Sequence, residues 1–186
     1  MDSPLKETRL DGEMAFDGRF LKVARDRIRL PDGKETDREY IKHPGAVVIL
    51  PLFDDGRVLL ERQFRYPLGR EFIEFPAGKI DPGEDPLACA KRELVEETGY
   101  TATSWQFVCT IHNAIAYSDE HLDLYLARGL TAGQPKLDEG EFLEIFTSTV
   151  PEMLSMVKAG QVSDVKTIIG AFWLEKILNG SWQPAA

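Results

Sequence analysis

The chain has 186 residues, enough for one domain of ordinary size with a substantial core and a small appendage, and too few for two large domains. Hydrophobic residues make up 43% and charged residues 28%, and no segment approaches the roughly 20 apolar residues that a membrane helix needs, so a membrane protein is not expected. A net charge of −9 repels polyanions and no basic run is present, which argues against long nucleic acid as a partner but is compatible with a small anion escorted by a divalent cation. The stretch from Met1 to Leu10 is polar and lacks a signal peptide's apolar run, and Cys89 and Cys109 have no metal-type spacing. Both features point to a cytoplasmic protein with two reduced thiols.

In chain order, Phe20 to Leu30 and Glu35 to Lys42 read as strands joined by the Pro31-Asp32-Gly33-Lys34 turn. A unit that small cannot stabilise itself. Phe16, Phe20, Leu21, Val23, Ile28 and Leu30 give it apolar surface to bury on the rest of the chain or on a second subunit. His43-Pro44-Gly45 marks a boundary, so residues 1–43 are expected as an N-terminal β region, 44–180 as the main domain and 181–186 as a tail. The apolar run Ala46 to Phe53, the Asp54-Asp55-Gly56-Arg57 turn and Val58 to Tyr66 read as a hairpin, followed by a short strand at Glu71 to Phe75.

A helix is predicted over Leu87 to Thr98, and it carries Glu93, Glu96 and Glu97 at spacings of three and four. At 3.6 residues per turn these carboxylates share an arc of about 100°. Leu87, Ala90 and Leu94 occupy a neighbouring arc that faces the core, and Gly99 accepts the left-handed conformation common just past a helix end. Glu96 and Glu97 lie in the last turn, where cations rather than anions are stabilising, by about 0.3–1 kcal/mol, so the cluster calls for a positive partner. Clustered hard oxygen ligands suit Mg²⁺ or Mn²⁺.

Beyond the helix, strands are predicted at Ser104 to His112, His121 to Ala127 and Phe142 to Thr147. Helices are predicted from Pro151 to Lys158 and from Val165 to Leu178, with Ser163 as the cap of the second and Asn179-Gly180 as its stop. Strands around one central helix, with more helix at the end, indicate an α/β or α+β sandwich.

From Gly78 to Tyr100 the chain reads Gly-x5-Glu-x7-Arg-Glu-Leu-Val-Glu-Glu-Thr-Gly-Tyr. This resembles the signature of the Nudix hydrolase family at every fixed position: Gly78, Glu84, Arg92, Glu93, Glu96, Glu97 and Gly99. Tyr100 departs slightly, standing where an aliphatic residue is usual. The resemblance implies an α/β/α sandwich with a mixed sheet, and attack of a metal-activated water on a diphosphate linkage joined to a group X. It implies Glu93 and Glu97 as the leading metal ligands, Glu96 close behind and the Ala77 carbonyl as a backbone ligand. Arg92 and Glu84 would orient the glutamates by hydrogen bonding.

Gln63-Phe64-Arg65-Tyr66-Pro67 and the segment from Arg70 to Gly78, which includes Glu71, are similar to the branch that hydrolyses ADP-ribose and related nucleoside diphosphate sugars. That similarity implies that Arg65 contacts the diphosphate, with Glu71 and Tyr117 as further substrate-binding candidates; a strand salt bridge is the plain alternative for Arg65. It also implies N-terminal strands that form a homodimer and reach the partner's nucleoside site. Asp138-Glu139-Gly140-Glu141-Phe142 resembles the acidic loop that supplies a catalytic glutamate; Glu141 aligns best and Glu139 second. The stretch Ile115-Ala116-Tyr117-Ser118-Asp119-Glu120 lacks the Pro and Gly usual in ADP-ribose hydrolases, so a hexose derivative competes closely with ADP-ribose. A nucleotide-binding module without turnover, and a hydrolase of nucleoside triphosphates, dinucleotides or capped RNA, are the alternatives.

Overall fold

Three helices, ten strands and one 3₁₀ turn form among the described residues, 3–137 and 139–184, of a computed structural model. Asp138, in the acidic loop, lies outside those residues. The chain divides into two units, one made of the chain up to Pro44 together with His112–His121, the other of Gly45–Ile111 and the chain from Leu122 onward.

The first unit is an antiparallel sheet in the order β1-β2-β3, with β1 at Thr8–Asp17, β2 at Lys22–Arg29 and β3 at Glu35–Lys42. Strict alternation along β2 turns Ala24, Asp26 and Ile28 inward and Arg25, Arg27 and Arg29 outward. The outward arginines pair with carboxylates on both flanking strands: Arg25 with Glu39 at 2.7 Å, Arg27 with Asp11 at 2.5 Å and Arg29 with Glu35 at 3.1 Å. Strand β1 lies outside the expected strands: Leu10, Met14 and Phe16 alternate with polar residues, but Gly12 interrupts the run and almost all of it is exposed, so that backbone pairing with β2, broken by two irregularities, defines it. The His112–His121 segment joins β3 through Ile41 N–H to the Tyr117 carbonyl at 2.9 Å and the Lys42–Asp119 ion pair at 2.5 Å. Ile28 is buried, but Phe16 and Phe20 stay exposed.

In the second unit, β4 (Ala46–Pro51), β7 (Ala77–Lys79), β8 (Thr101–Ile111) and β9 (Leu122–Thr131) form a mixed sheet in the order β7-β4-β9-β8, with β4 parallel to β9. Strands β5 (Arg57–Arg65), β6 (Arg70–Glu74) and β10 (Leu143–Thr149) form an antiparallel sheet in the order β10-β5-β6. The expected hairpin of β4 and β5 is therefore not made. After a single Leu52–Val58 bridge the two strands part, because β7 and β9 occupy both edges of β4 while β10 and β6 occupy both edges of β5.

Every residue of β4 is buried, which explains its unbroken apolar run. Val47 and Ile49 pack with Cys89, Ala90 and Leu94 of helix α1 (Pro86–Thr98). Val48 and Leu50 pack with Met153 of α2 (Val150–Lys158) and with Ala171 and Leu174 of α3 (Val165–Leu178). Helix, sheet and helix thus form an α/β/α arrangement around β4. Helix α3 approaches closely at Gly170, where a Cβ would stand 2.6 Å from Leu50 Cδ2 and 2.8 Å from Phe75 Cε2. Its cap is Asp164 and not Ser163: the Asp164 carboxylate accepts from Thr167 N–H at 3.0 Å, while Ser163 Oγ accepts from Arg70 Nη2 at 2.9 Å. A carboxylate is the stronger acceptor at a helix start and is favoured by the dipole there. Both cysteines are free, and among the described residues no helix is long and apolar enough to cross a membrane.

Candidate active site

Helix α1 begins with Pro86 in its first turn and with the Asp85 carboxylate accepting from Ala88 N–H at 3.0 Å; it ends at Gly99, whose φ of 75° lies in the left-handed region. Cys89, Ala90 and Leu94 bury one stripe against β4, and Leu87 is half-buried at its start. The same helical turn carries Glu93 and Glu97 onto the margin of that stripe. Glu97 is only 4% exposed, and its Oε2 accepts from the Ala77 amide at 3.1 Å. Glu93 lies directly over Gly78, where a Cβ would come within 1.8 Å of its Cδ. A side chain at position 78 and the observed Glu93 carboxylate exclude each other.

Arg92 organises the acids on its side of the helix. Its Nε and Nη2 donate to the two oxygens of Glu84 at 2.9 and 2.8 Å, and its Nη1 donates to Glu93 at 2.7 Å and to Glu96 at 2.9 Å. With this guanidinium, and with the Asp81 amide 3.0 Å from its Oε2, Glu84 is held down to about 2. The same bonds, those to Glu84 foremost, raise Arg92 further above its already high value. Glu93 nevertheless moves upward, because burial outweighs the nearby arginine. Among the described residues Glu97 is in no ion pair. Burial, then the charges of Glu61, Glu93 and Glu141, push it well above the ordinary carboxylate range.

Glu61, which the sequence reading passed over, is the second uncompensated acid. It ends the buried Val58-Leu59-Leu60 run of β5, is 1% exposed, and among the described residues neither of its oxygens has a hydrogen-bond partner. Burial and the charge of Glu74 push it upward against the opposing charges of Lys166 and Arg65. The one signal available was a glutamate closing an apolar strand run, where a solvated residue would be ordinary.

Among the described residues no three acidic, histidine or cysteine side chains are already gathered into a cation cage, since Arg92 draws an oxygen each of Glu93 and Glu96 to itself. The donor chemistry still fits a divalent cation: hard carboxylate oxygens, held out of water, with neither Glu97 nor Glu61 in an ion pair among the described residues.

Arg65 pairs with Glu74 through two bonds, Nε to Oε1 at 2.6 Å and Nη2 to Oε2 at 2.7 Å. Lys166 Nζ shares Glu74 Oε2 with Arg65, and against the cost of burial the two cations hold Glu74 below the usual carboxylate range. Arg65, Phe72, Glu74 and the segment from Ser163 to Lys166 line a groove of about 400 Å³. Glu71 is exposed, with Arg62 at 3.9 Å. Glu141 is half-buried and its charge is felt by Glu61, Glu93 and Glu97, whereas Glu139 is exposed. Tyr117 belongs to the first unit, where it lines a hollow of about 400 Å³ with Asp26 and Tyr40. That hollow contains none of the α1 acids.

Known families and proteins match most of the chain. The model of the NUDIX domain matches residues 42–167, and that of the nucleoside diphosphate sugar hydrolase N-terminal domain matches residues 7–41. The ADP-ribose pyrophosphatase of Bacillus subtilis (strain 168) is 38% identical over 173 residues, covering 92% of this chain and 94% of its own. The methanol dehydrogenase activator of Bacillus methanolicus is 34% identical over 177 residues, covering 94% and 96%. A solved structure described as an ADP compounds hydrolase matches the fold with a TM-score of 0.86 at 24% identity, over 97% of this chain and 98% of that one.

Proposed function

This chain belongs to the Nudix family, and from that premise we propose that it hydrolyses the diphosphate linkage of ADP-ribose or a related nucleoside diphosphate sugar. Water adds across the P–O–P bond, and the products are a nucleoside monophosphate and a sugar phosphate. The reading is supported by the ADP-ribose pyrophosphatase relative and by the nucleoside diphosphate sugar hydrolase N-terminal domain. The observation that carries it is the buried Glu97 carboxylate, in no ion pair among the described residues, beside Glu93 and the Ala77-Gly78 segment of β7.

Nudix hydrolases need a divalent cation, and we take it to be Mg²⁺, with Mn²⁺ able to substitute. Glu93, Glu97 and Glu96 would hold it, together with the Ala77 carbonyl. When bound, it neutralises the diphosphate oxygens and makes water a stronger nucleophile. Arg92 and Glu84 fix the direction of the acids on α1. The Arg65 guanidinium offers its planar donors to the diphosphate, with Glu74 fixing its plane. Glu71 is assigned to substrate binding beside it. Glu141 accepts the proton of the attacking water, with Glu139 as the second choice, from a loop whose closure excludes bulk solvent.

We further assign the protein to the cytoplasm as a homodimer. The dimer is supported by the exposed Met14, Phe16 and Phe20 of the N-terminal unit. Light scattering at micromolar concentration should give twice the chain mass, and a monomer would count against it.

Chromatography after incubation with Mg²⁺ and ADP-ribose, ADP-glucose, UDP-glucose, GDP-mannose, NADH or ATP tests the reaction. AMP and ribose 5-phosphate formed fastest would establish ADP-ribose. Faster cleavage of a hexose derivative would assign the Ile115 to Tyr117 departure to a reshaped sugar preference. Tight binding with no product from any of them would overturn the enzyme reading in favour of a binding module.

A further inference from the structure

The charges buried in the second unit are unevenly matched. Arg65 and Lys166 are taken up by Glu74, and Lys166 also by Asp164 at 3.0 Å. Arg92 is shared among Glu84, Glu93 and Glu96. Glu61 is left over, 1% exposed, with both oxygens unpartnered among the described residues. An ionised carboxylate buried without a partner is among the costliest arrangements a folded chain can keep.

Its position shows what would relieve that cost. In the β5–β6 register Glu61 stands opposite Glu74, and Glu97 Oε2 accepts from the Ala77 amide at 3.1 Å. Glu74 and Ala77 are three residues apart, about 10 Å of extended chain, so both carboxylates stand along one short segment that passes from one sheet to the other. Glu61 is the strongest charged neighbour of Glu97, and both feel Glu141.

We propose that Glu61 contributes its carboxylate to the divalent-cation cluster, facing it from β5 as an acid additional to those of α1. Position 61 lies outside the Gly78–Gly99 signature, so motif matching alone does not reach it. The inference rests on the reading of Glu93 and Glu97 as cation ligands. It adds to that reading an anchor on the sheet, so that the cation is gripped by helix and strand together.

Mn²⁺ affinity of the full chain without substrate, measured by titration calorimetry or by the EPR signal of free Mn²⁺, tests the inference in wild type, E61Q and E97Q. E61Q removes charge with little change of shape and should weaken Mn²⁺ binding by roughly 10- to 100-fold, the range found when a supporting group of a metal site is lost. In EDTA it should melt higher than wild type, and it should gain less on adding Mn²⁺. If E97Q loses affinity while E61Q stays within about twofold of wild type, the assignment of Glu61 is overturned and the α1 site stands. If neither variant changes affinity, the cation-site reading itself fails. Should E61Q not fold, E61D, which keeps the charge but withdraws it by one methylene, is read in its place; unchanged affinity there would overturn the assignment.

Discussion

Glu97 is held by two opposing demands, one to stay out of water and one to stay near other acids. Glu97→Gln satisfies both without a cation, so it should leave the melting temperature unchanged or higher while lowering turnover by at least about 100-fold. Near-normal turnover in a folded variant would remove Glu97 from the ligand set. Gly78 makes the complementary case. Its Cβ would collide with the tip of Glu93, a flexible end that can swing aside, so Gly78→Ala should cost far less than the about 3 kcal/mol of an overpacked core. The displaced carboxylate should nevertheless cost roughly tenfold or more in turnover. A melting curve and a product assay separate the two effects, and full activity would show that Glu93 need not lie where it does. Three of the acids were visible in advance because a helix repeats them at spacings of three and four. Glu61 was not, because a strand residue shares no local period with that helix and meets its neighbours only through the register of β5 on β6.

Among the elements, α3 shows how little room the core leaves. Gly170→Ala would drive a methyl group into Leu50 and Phe75, both fully buried and unable to retreat, and should destabilise by about 1–3 kcal/mol as read by denaturant unfolding. A neutral result would mean that α3 can slide on the sheet. Elements with a buried stripe were legible to within a few residues: α1, α2, α3 and the apolar run of β4 all announce themselves by spacing or composition. What stayed hidden was pairing. Strand β1 has almost no buried side chains, β7 is three residues long, and the turn between β4 and β5 looks like a hairpin although its arms belong to different sheets. The acidic loop was readable as a segment, but the half-burial of Glu141 and the exposure of Glu139 depend on packing that no local pattern encodes.

The whole protein should carry these unmatched acids as an unusual pH response. Glu61 and Glu97 keep their protons to higher pH in the fold than in the unfolded chain, where glutamate titrates near about 4.3. Above that value the native state binds more protons than the unfolded one, so stability falls as pH rises toward the folded values. Glu84 and Glu74 act oppositely, but their contribution is lost only as pH drops below the ordinary carboxylate range. In EDTA the melting temperature should therefore be higher at pH 5 than at pH 8, and Mg²⁺ should narrow or reverse the difference. Greater stability at pH 8 without metal would mean that both acids are already compensated. The N-terminal sheet answers to a different variable. Its interior side chains are Ala24, Asp26 and Ile28, while exposed pairs of Arg25, Arg27 and Arg29 with acids on neighbouring strands brace its outside. Each such pair is worth at most about 1 kcal/mol and weakens as salt shortens the Debye length to about 8 Å at physiological strength. Added salt should thus loosen the N-terminal strands while leaving the apolar interior of the second unit intact, and amide exchange quickened in β1, β2 and β3 alone would show it.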